Sequence, residues 1–168
     1  MKRIAIIGIS GSGKSTFANS LGNTLNRSII YLDKEYWTNG WEKRYSSEDW
    51  KKFVKNLSQQ DEWIIDGNYQ SSMITRLDRA DTIIFFDFSR WICFFRVLFR
   101  VLNRKQPFDK SEGTRERVSL ELIKFIIKYP RKEILKKLES YKNTKEIFIV
   151  KNSKEVDELL IKMVKFEL

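Results

Sequence analysis

The residues whose types and spacing carry chemistry begin at Gly8. The run Gly8-Ile9-Ser10-Gly11-Ser12-Gly13-Lys14-Ser15 fits G-x-x-x-x-G-K-[ST] at every position, directly after an apolar run and before a helical segment. Glycines let the backbone curl, so that amides along Gly8, Ser10, Gly11, Ser12 and Gly13 face phosphate oxygens. The helix that follows adds the partial positive charge of its N-terminus. Lys14 is placed to reach the β- and γ-phosphates, the Ser15 hydroxyl to ligate magnesium, and Thr16 to make a further phosphate contact. The ligand this implies is a nucleoside triphosphate, ATP with Mg2+. An ordinary glycine-rich turn matches the pattern by accident in about one chain of this length in a hundred, and the required strand and helix make accident rarer still.

No histidine occurs anywhere in the chain, which excludes histidine metal sites, histidine bases and the usual serine triad. Chemistry must rest on carboxylates, lysine, arginine and backbone amides. Asp66 and Asp87 each end an apolar run, where open α/β sheets bind their ligands. Asp66 is the preferred magnesium-side carboxylate, because Gly67 after it permits close backbone approach; Asp87 is the alternative, with helix capping as its plain structural role. Asp33 ends the second apolar run. It either accepts a proton from an acceptor hydroxyl, or orients it, or is an ordinary turn residue.

Arg96, Arg100 and Arg104 repeat at helical spacing and form a basic ridge near the end of the fourth strand, suited to phosphates. Lys105, Arg115, Arg117 and Arg131 are weaker candidates. Trp91, Phe95, Leu98 and Leu102 share another face of the same helix and read as a buried stripe. Tyr36, Trp37, Trp41 and Tyr45 crowd one segment, with packing favoured over stacking on a base. Cys93 reads as a small buried residue.

These residues need elements to hold them. Strands are expected at Arg3 to Ile7, Ser28 to Leu32, Trp63 to Ile65, Thr82 to Phe86 and Ile147 to Val150. Helices are expected at Lys14 to Leu25, after a cap at Ser46 or Ser47, at Ser71 to Arg79, from a cap at Ser89 to Asn103, at Leu120 to Tyr129, at Arg131 to Tyr141 and at Ser153 to Phe166. Pro130 divides the two helices around it. A loop runs from Asp33 to Tyr45, and a mobile one from Asn103 to Thr114. Short apolar runs between amphipathic helices imply a parallel sheet covered on both faces, in one domain over residues 1–168.

The 168 residues carry 32 lysines and arginines against 22 acids, a formal charge of +10, which favours polyanionic partners. The single cysteine rules out an internal disulfide framework and suits a reducing, cytoplasmic setting. No apolar stretch approaches the ~20 residues of a membrane span, so a soluble protein is expected.

The chain resembles small P-loop kinases of the adenylate kinase and shikimate kinase type, and more closely the adenylate-kinase-like DNA topology modulation proteins. The likeness runs nearly end to end. It rests on Gly8 to Ser15, Tyr31-Leu32-Asp33 with Trp37, Trp63-Ile64-Ile65-Asp66-Gly67-Asn68-Tyr69, Ala80 to Asp87, Arg90-Trp91 with Arg96 and Arg100, and Tyr129-Pro130-Arg131. The resemblance implies a P-loop NTPase fold, three-layer α/β/α, with a five-stranded parallel sheet in the order 2-3-1-4-5 and a helical lid at about residues 103–115. It also implies a magnesium-side role for Asp66 and paired phosphate-holding arginines at Arg96 and Arg100. The chain departs from adenylate kinases at Tyr69-Gln70, where their acceptor-gripping arginine stands, with Arg76 a possible substitute. It lacks the second aspartate of shikimate kinases, since Lys34 and Glu35 follow Asp33.

The reading these residues support is an ATP-dependent phosphotransferase, with Lys14, Asp33, Arg96 and Arg100 in the transfer and a small-molecule or nucleotide acceptor. The alternative is a regulatory NTPase whose basic surface meets DNA or RNA. A membrane-surface role for residues 90–104 ranks last, because the aromatic stripe is needed in the core. Oligomeric state is left open.

Overall fold

Strand β1 (Arg3–Gly8) buries Ile4, Ala5, Ile6 and Ile7 completely, so both of its faces are covered, as a central parallel strand requires. The computed structural model describes residues 1–38, 42–103 and 120–167. The elements after β1 run α1 (Lys14–Leu25), β2 (Ile29–Tyr31), α2 (Leu32–Tyr36), α3 (Ser47–Ser58), β3 (Trp63–Asp66) and α4 (Gln70–Arg79). They continue with β4 (Thr82–Phe86), α5 (Arg90–Leu102), α6 (Leu120–Ile127), α7 (Arg131–Glu139), β5 (Glu146–Val150) and α8 (Ser153–Glu167).

The five strands are all parallel, in the order β2-β3-β1-β4-β5, with β1 between β3 and β4. Alternation along the strands sorts side chains into two cores. Ile4, Ile6, Ile64, Ile84 and Phe86 face α1, α5, α6 and α8, whereas Ala5, Ile7, Ile65, Ile83 and Phe85 face α2, α3, α4 and α7. The chain is therefore an α/β P-loop NTPase fold, with the phosphate loop at the carboxyl end of its middle strand.

Local signals explain several boundaries. Ser46 caps α3, accepting from the Asp49 amide at 3.1 Å, which decides between the two serines at that start. Pro130 stands between α6 and α7, as its missing donor demands. Ser89 begins α5 but makes no side-chain capping bond.

Two expectations change. The segment after β2 is a short helix, α2, where a loop is expected, and its first residue, completely buried Leu32, is the one expected to end the strand. Asp33 thus lies in the first turn of a helix, a position that suits a carboxylate. Beyond it, Trp37 and Lys43 form an isolated antiparallel bridge. The second change is the face of α5. Trp91, Phe95 and Leu102 are 62%, 62% and 71% exposed, and the buried residues are Cys93 and Val97. The apolar side of the helix lies around Trp91, Phe95 and Leu102, away from its arginines, but close packing against Gly11 turns the opposite side, with Cys93 and Val97, inward. A Cβ on Gly11 would stand 2.4 Å from the Cys93 carbonyl oxygen. The ground for ranking a membrane-surface role last, that the stripe is needed in the core, falls with this. No described helix is long and apolar enough to cross a membrane. The expected lid at 103–115 lies outside the described residues except for Asn103, as do Trp41, Arg104, Lys105, Arg115 and Arg117.

Candidate active site

The phosphate loop leaves β1 at Gly8 and enters α1 at Lys14. Gly13, the residue before the helix, holds φ +97, a left-handed conformation that favours glycine, and an added Cβ there would meet nothing within 4 Å. The α1 N-terminus therefore opens outward, with no side-chain cap and no acidic residue in its first turn. Its unpaired amides and dipole suit an anion. Lys14 Nζ donates to the Ile9 carbonyl at 3.1 Å, folding the amine back over the loop. Ser12 is buried and its amide donates to the same carbonyl at 3.3 Å, which tightens the turn. Ser10, Gly11 and Ser15 are half-buried and Thr16 is exposed. The loop's shape and charge fit a nucleotide's phosphates, and Ser15 carries a hydroxyl that would suit a magnesium ion beside them.

Asp66 ends β3 with 2% exposure, beside Ile6 of β1 and Tyr31 of β2. An oxygen ligand at that place suits a hard cation, whose charge would offset the cost of burying a carboxylate. Arg76 stands near it, completely buried. Its guanidinium donates to the Gly67 carbonyl at 2.8 Å and, by a second nitrogen, to the Asn68 carbonyl. Burial lowers its pKa to about 10, opposed by the Asp66 carboxylate, so it stays charged at neutral pH. This corrects the expectation that Arg76 substitutes for an acceptor-gripping arginine: its donors hold the Gly67–Asn68 backbone in the interior.

Tyr69 opens α4 with φ 37, a left-handed conformation uncommon outside glycine. Its hydroxyl donates to Asp33 Oδ1 at 2.7 Å. Burial, and then the Asp33 carboxylate, push that hydroxyl far above its usual range, so it remains a donor at neutral pH. The ring packs on Tyr36 and Trp50, with centroids 4.9 and 4.8 Å apart. Tyr36 also packs edge-on against Trp37, and Tyr45 stacks on Phe53. The described aromatics of this segment pack on neighbouring rings, Tyr36 on Trp37, Trp50 and Tyr69 and Tyr45 on Trp50 and Phe53, as favoured from the sequence.

On the other side of β1, Asp87 is neither a helix cap nor held open toward the loop. Arg131 at the start of α7 grips both of its oxygens, Nη2 to Oδ2 at 2.7 Å and Nε to Oδ1. That hydrogen bonding raises the Arg131 pKa. The pair lines a cleft of about 320 Å³ together with Ile9, Ser89, Arg90, Trp91 and Tyr129. Ile9 is the residue whose carbonyl holds Lys14, so cleft and phosphate loop share a wall. Arg96 reaches the loop from α5, donating to the Ser12 carbonyl at 3.5 Å and to Ser153 Oγ at 3.2 Å. Arg100 lies one helical turn further on and is half-buried. Cys93 is buried, and burial raises its thiol to about 11, which fits an inert core residue.

Residue-by-residue reading of the sequence left three partnerships undetected: Tyr69 with Asp33, Asn68 with Gly8 and Tyr129, and Arg131 with Asp87. Each joins residues 36 or more positions apart, and no local pattern announces such a pair.

No family model and no curated protein matches the chain. Among solved structures it is similar to a deoxyadenosine kinase from M. mycoides. The form with bound dATP matches at TM-score 0.51 and 16% identity, over 98% of this chain and 100% of that one. The form with bound dCTP matches at TM-score 0.50 and 18% identity, over 98% and 99%. A sugar kinase from Janibacter sp. HTCC2649 matches at TM-score 0.53 and 10% identity, over 98% and 93%. Fold and loop together define a P-loop kinase-like fold. At these identities the likeness extends to the fold alone.

Proposed function

We propose that this protein binds ATP with Mg2+ and transfers the γ-phosphoryl group to a small-molecule or nucleotide acceptor. The observation that carries the reading is the phosphate loop itself, which leaves the middle strand at Gly8 with Lys14 Nζ folded back on the Ile9 carbonyl, beside an open cleft that Ile9 also lines. The deoxyadenosine kinase with bound dATP and dCTP, of like fold, supports a nucleotide as a ligand.

In the reaction an acceptor oxygen attacks the γ-phosphorus, the bond to the β–γ bridging oxygen breaks, and ADP leaves. Phosphoryl transfer asks mainly for position and charge neutralisation, which suits a chain without histidine. Lys14 and the loop amides hold the β- and γ-phosphates, and Arg96 and Arg100 meet the transferring charge from α5. Asp33, oriented by Tyr69, aligns the acceptor hydroxyl or takes its proton. Ser15 and Asp66 would hold magnesium, which would supply positive charge against the phosphates. The closer likeness to topology modulation proteins, carried by Asp66-Gly67-Asn68-Tyr69, belongs to the same proposal and names no reaction.

Labelled ATP offered with a pool of nucleosides, nucleotides and metabolites tests this. The parent protein is expected to label an acceptor, and Lys14→Ala to lose at least about a hundredfold in rate with an unchanged melting curve. Turnover equal to the parent's in a folded Lys14→Ala sinks the mechanism.

A further inference from the structure

The β1–β3 ladder ends in an uncommon way. Ile6 is paired with Asp66, and the Gly67 amide donates to the Ile6 carbonyl at 3.1 Å. In a regular parallel ladder the next bond runs from the Gly8 amide to the Gly67 carbonyl. Here that carbonyl is held by Arg76 Nη1 at 2.8 Å, and the Gly8 amide donates instead to Asn68 Oδ1 at 3.1 Å. A backbone amide only donates, so the Asn68 atom facing it is the oxygen.

Gly8 has little freedom on its other side, where φ is +151 and an added Cβ would stand 2.6 Å from Phe86 Cβ. The first amide of the phosphate loop is thus fastened to a side chain. That side chain has a second donor, since the Tyr129 hydroxyl reaches Asn68 Oδ1 at 3.3 Å. Tyr129 belongs to the turn between α6 and α7 and lines the cleft beside Ile9.

We propose that Asn68 is a positioning residue of the phosphate loop, its side-chain oxygen replacing the missing rung at Gly8 while Tyr129 fixes that oxygen from the cleft side. Asn68 acts through Gly8 and not on the reacting atoms. Its effect on nucleotide binding rests on the ATP reading above; the bond to Gly8 does not.

ATP with magnesium is titrated calorimetrically, without acceptor, into the parent, Asn68→Ala, Tyr129→Phe and the double variant. Asn68→Ala is expected to weaken binding about tenfold and Tyr129→Phe about threefold, each the size of one hydrogen bond. The double variant should bind within about twofold of Asn68→Ala, because Tyr129 works through Asn68. Losses that multiply, as independent structural damage would give, overturn the proposal, and so does parental affinity in Asn68→Ala. Hydrogen exchange at the Gly8 amide reads the same bond without nucleotide and is expected to accelerate in Tyr129→Phe and more in Asn68→Ala. Should Asn68→Ala not fold, unchanged Gly8 exchange in folded Tyr129→Phe is the overturning result. A parent that binds no ATP removes the ATP reading and leaves the exchange measurement to decide the positioning role.

Discussion

At the scale of single residues, chemistry here depends on what each charged group already holds. Arg76 and Arg131 are both arginines near strand ends, yet one is buried on backbone carbonyls and the other grips Asp87 at the rim of the cleft. Asp33 is different, because a neutral hydroxyl, that of Tyr69, donates to it and orients the carboxylate. Asp33→Asn keeps an oxygen for that hydroxyl and removes the charge. It is expected to lower transfer about a hundredfold, the usual size of a proton-transfer contribution, with ATP affinity within about twofold of the parent. A transfer assay beside an ATP titration checks this, and equal losses in both would make Asp33 a structural residue.

At the scale of elements, α5 shows how a neighbour overrides periodicity. The backbone at Gly11 comes against Cys93 and Val97, so those two small side chains turn inward and Phe99 is left 65% exposed. Val97→Ala should therefore cost about 2 kcal/mol, the loss of buried methyls plus a residual cavity. Phe99→Ser should stay within about 0.5 kcal/mol, since the two residues have similar helix propensity and little burial is lost. Thermal melts compare them directly: the first is expected to fall by about 6 °C and the second by about 2 °C or less for a chain of this size. The reverse order would put Phe99, and not Val97, on the buried side of α5. Arg96 follows from the same orientation, since turning Val97 inward brings its neighbour to the Ser12 carbonyl.

At the scale of the whole molecule, the +10 charge separates the phosphotransferase from a nucleic-acid-dependent NTPase. A polyanion bound mainly by charge releases counterions, so its affinity falls steeply with salt. Fluorescence anisotropy with duplex and single-stranded probes is expected to show weak binding at low salt. Near 0.15 M salt, where the Debye length is about 8 Å, binding should be negligible. Tight, saturable binding there, with no phosphate transfer to any acceptor, would favour the regulatory alternative.

The phosphate loop, the five strands and their covering helices are legible in the sequence because each rests on near neighbours: glycines at fixed offsets, apolar runs, a serine before a helix, a proline between two. The strand order came from resemblance to P-loop kinases, and the sheet agrees with it. The helix α2 leaves no mark in the sequence, because five residues are too few for an apolar period to show. The inner face of α5 is not legible in the sequence, because its apolar pattern points to the Trp91 and Phe95 side while the close approach of Gly11 buries the other. The partners of Asp33, Asn68 and Asp87 were beyond reach for a related reason. A hydrogen bond between residues 36 or more positions apart exists only once the sheet has brought the strand ends together, and the types Tyr, Asn and Arg each admit many partners before that. Local geometry is written in short-range spacing, whereas the choice among chemically equivalent partners is made by packing.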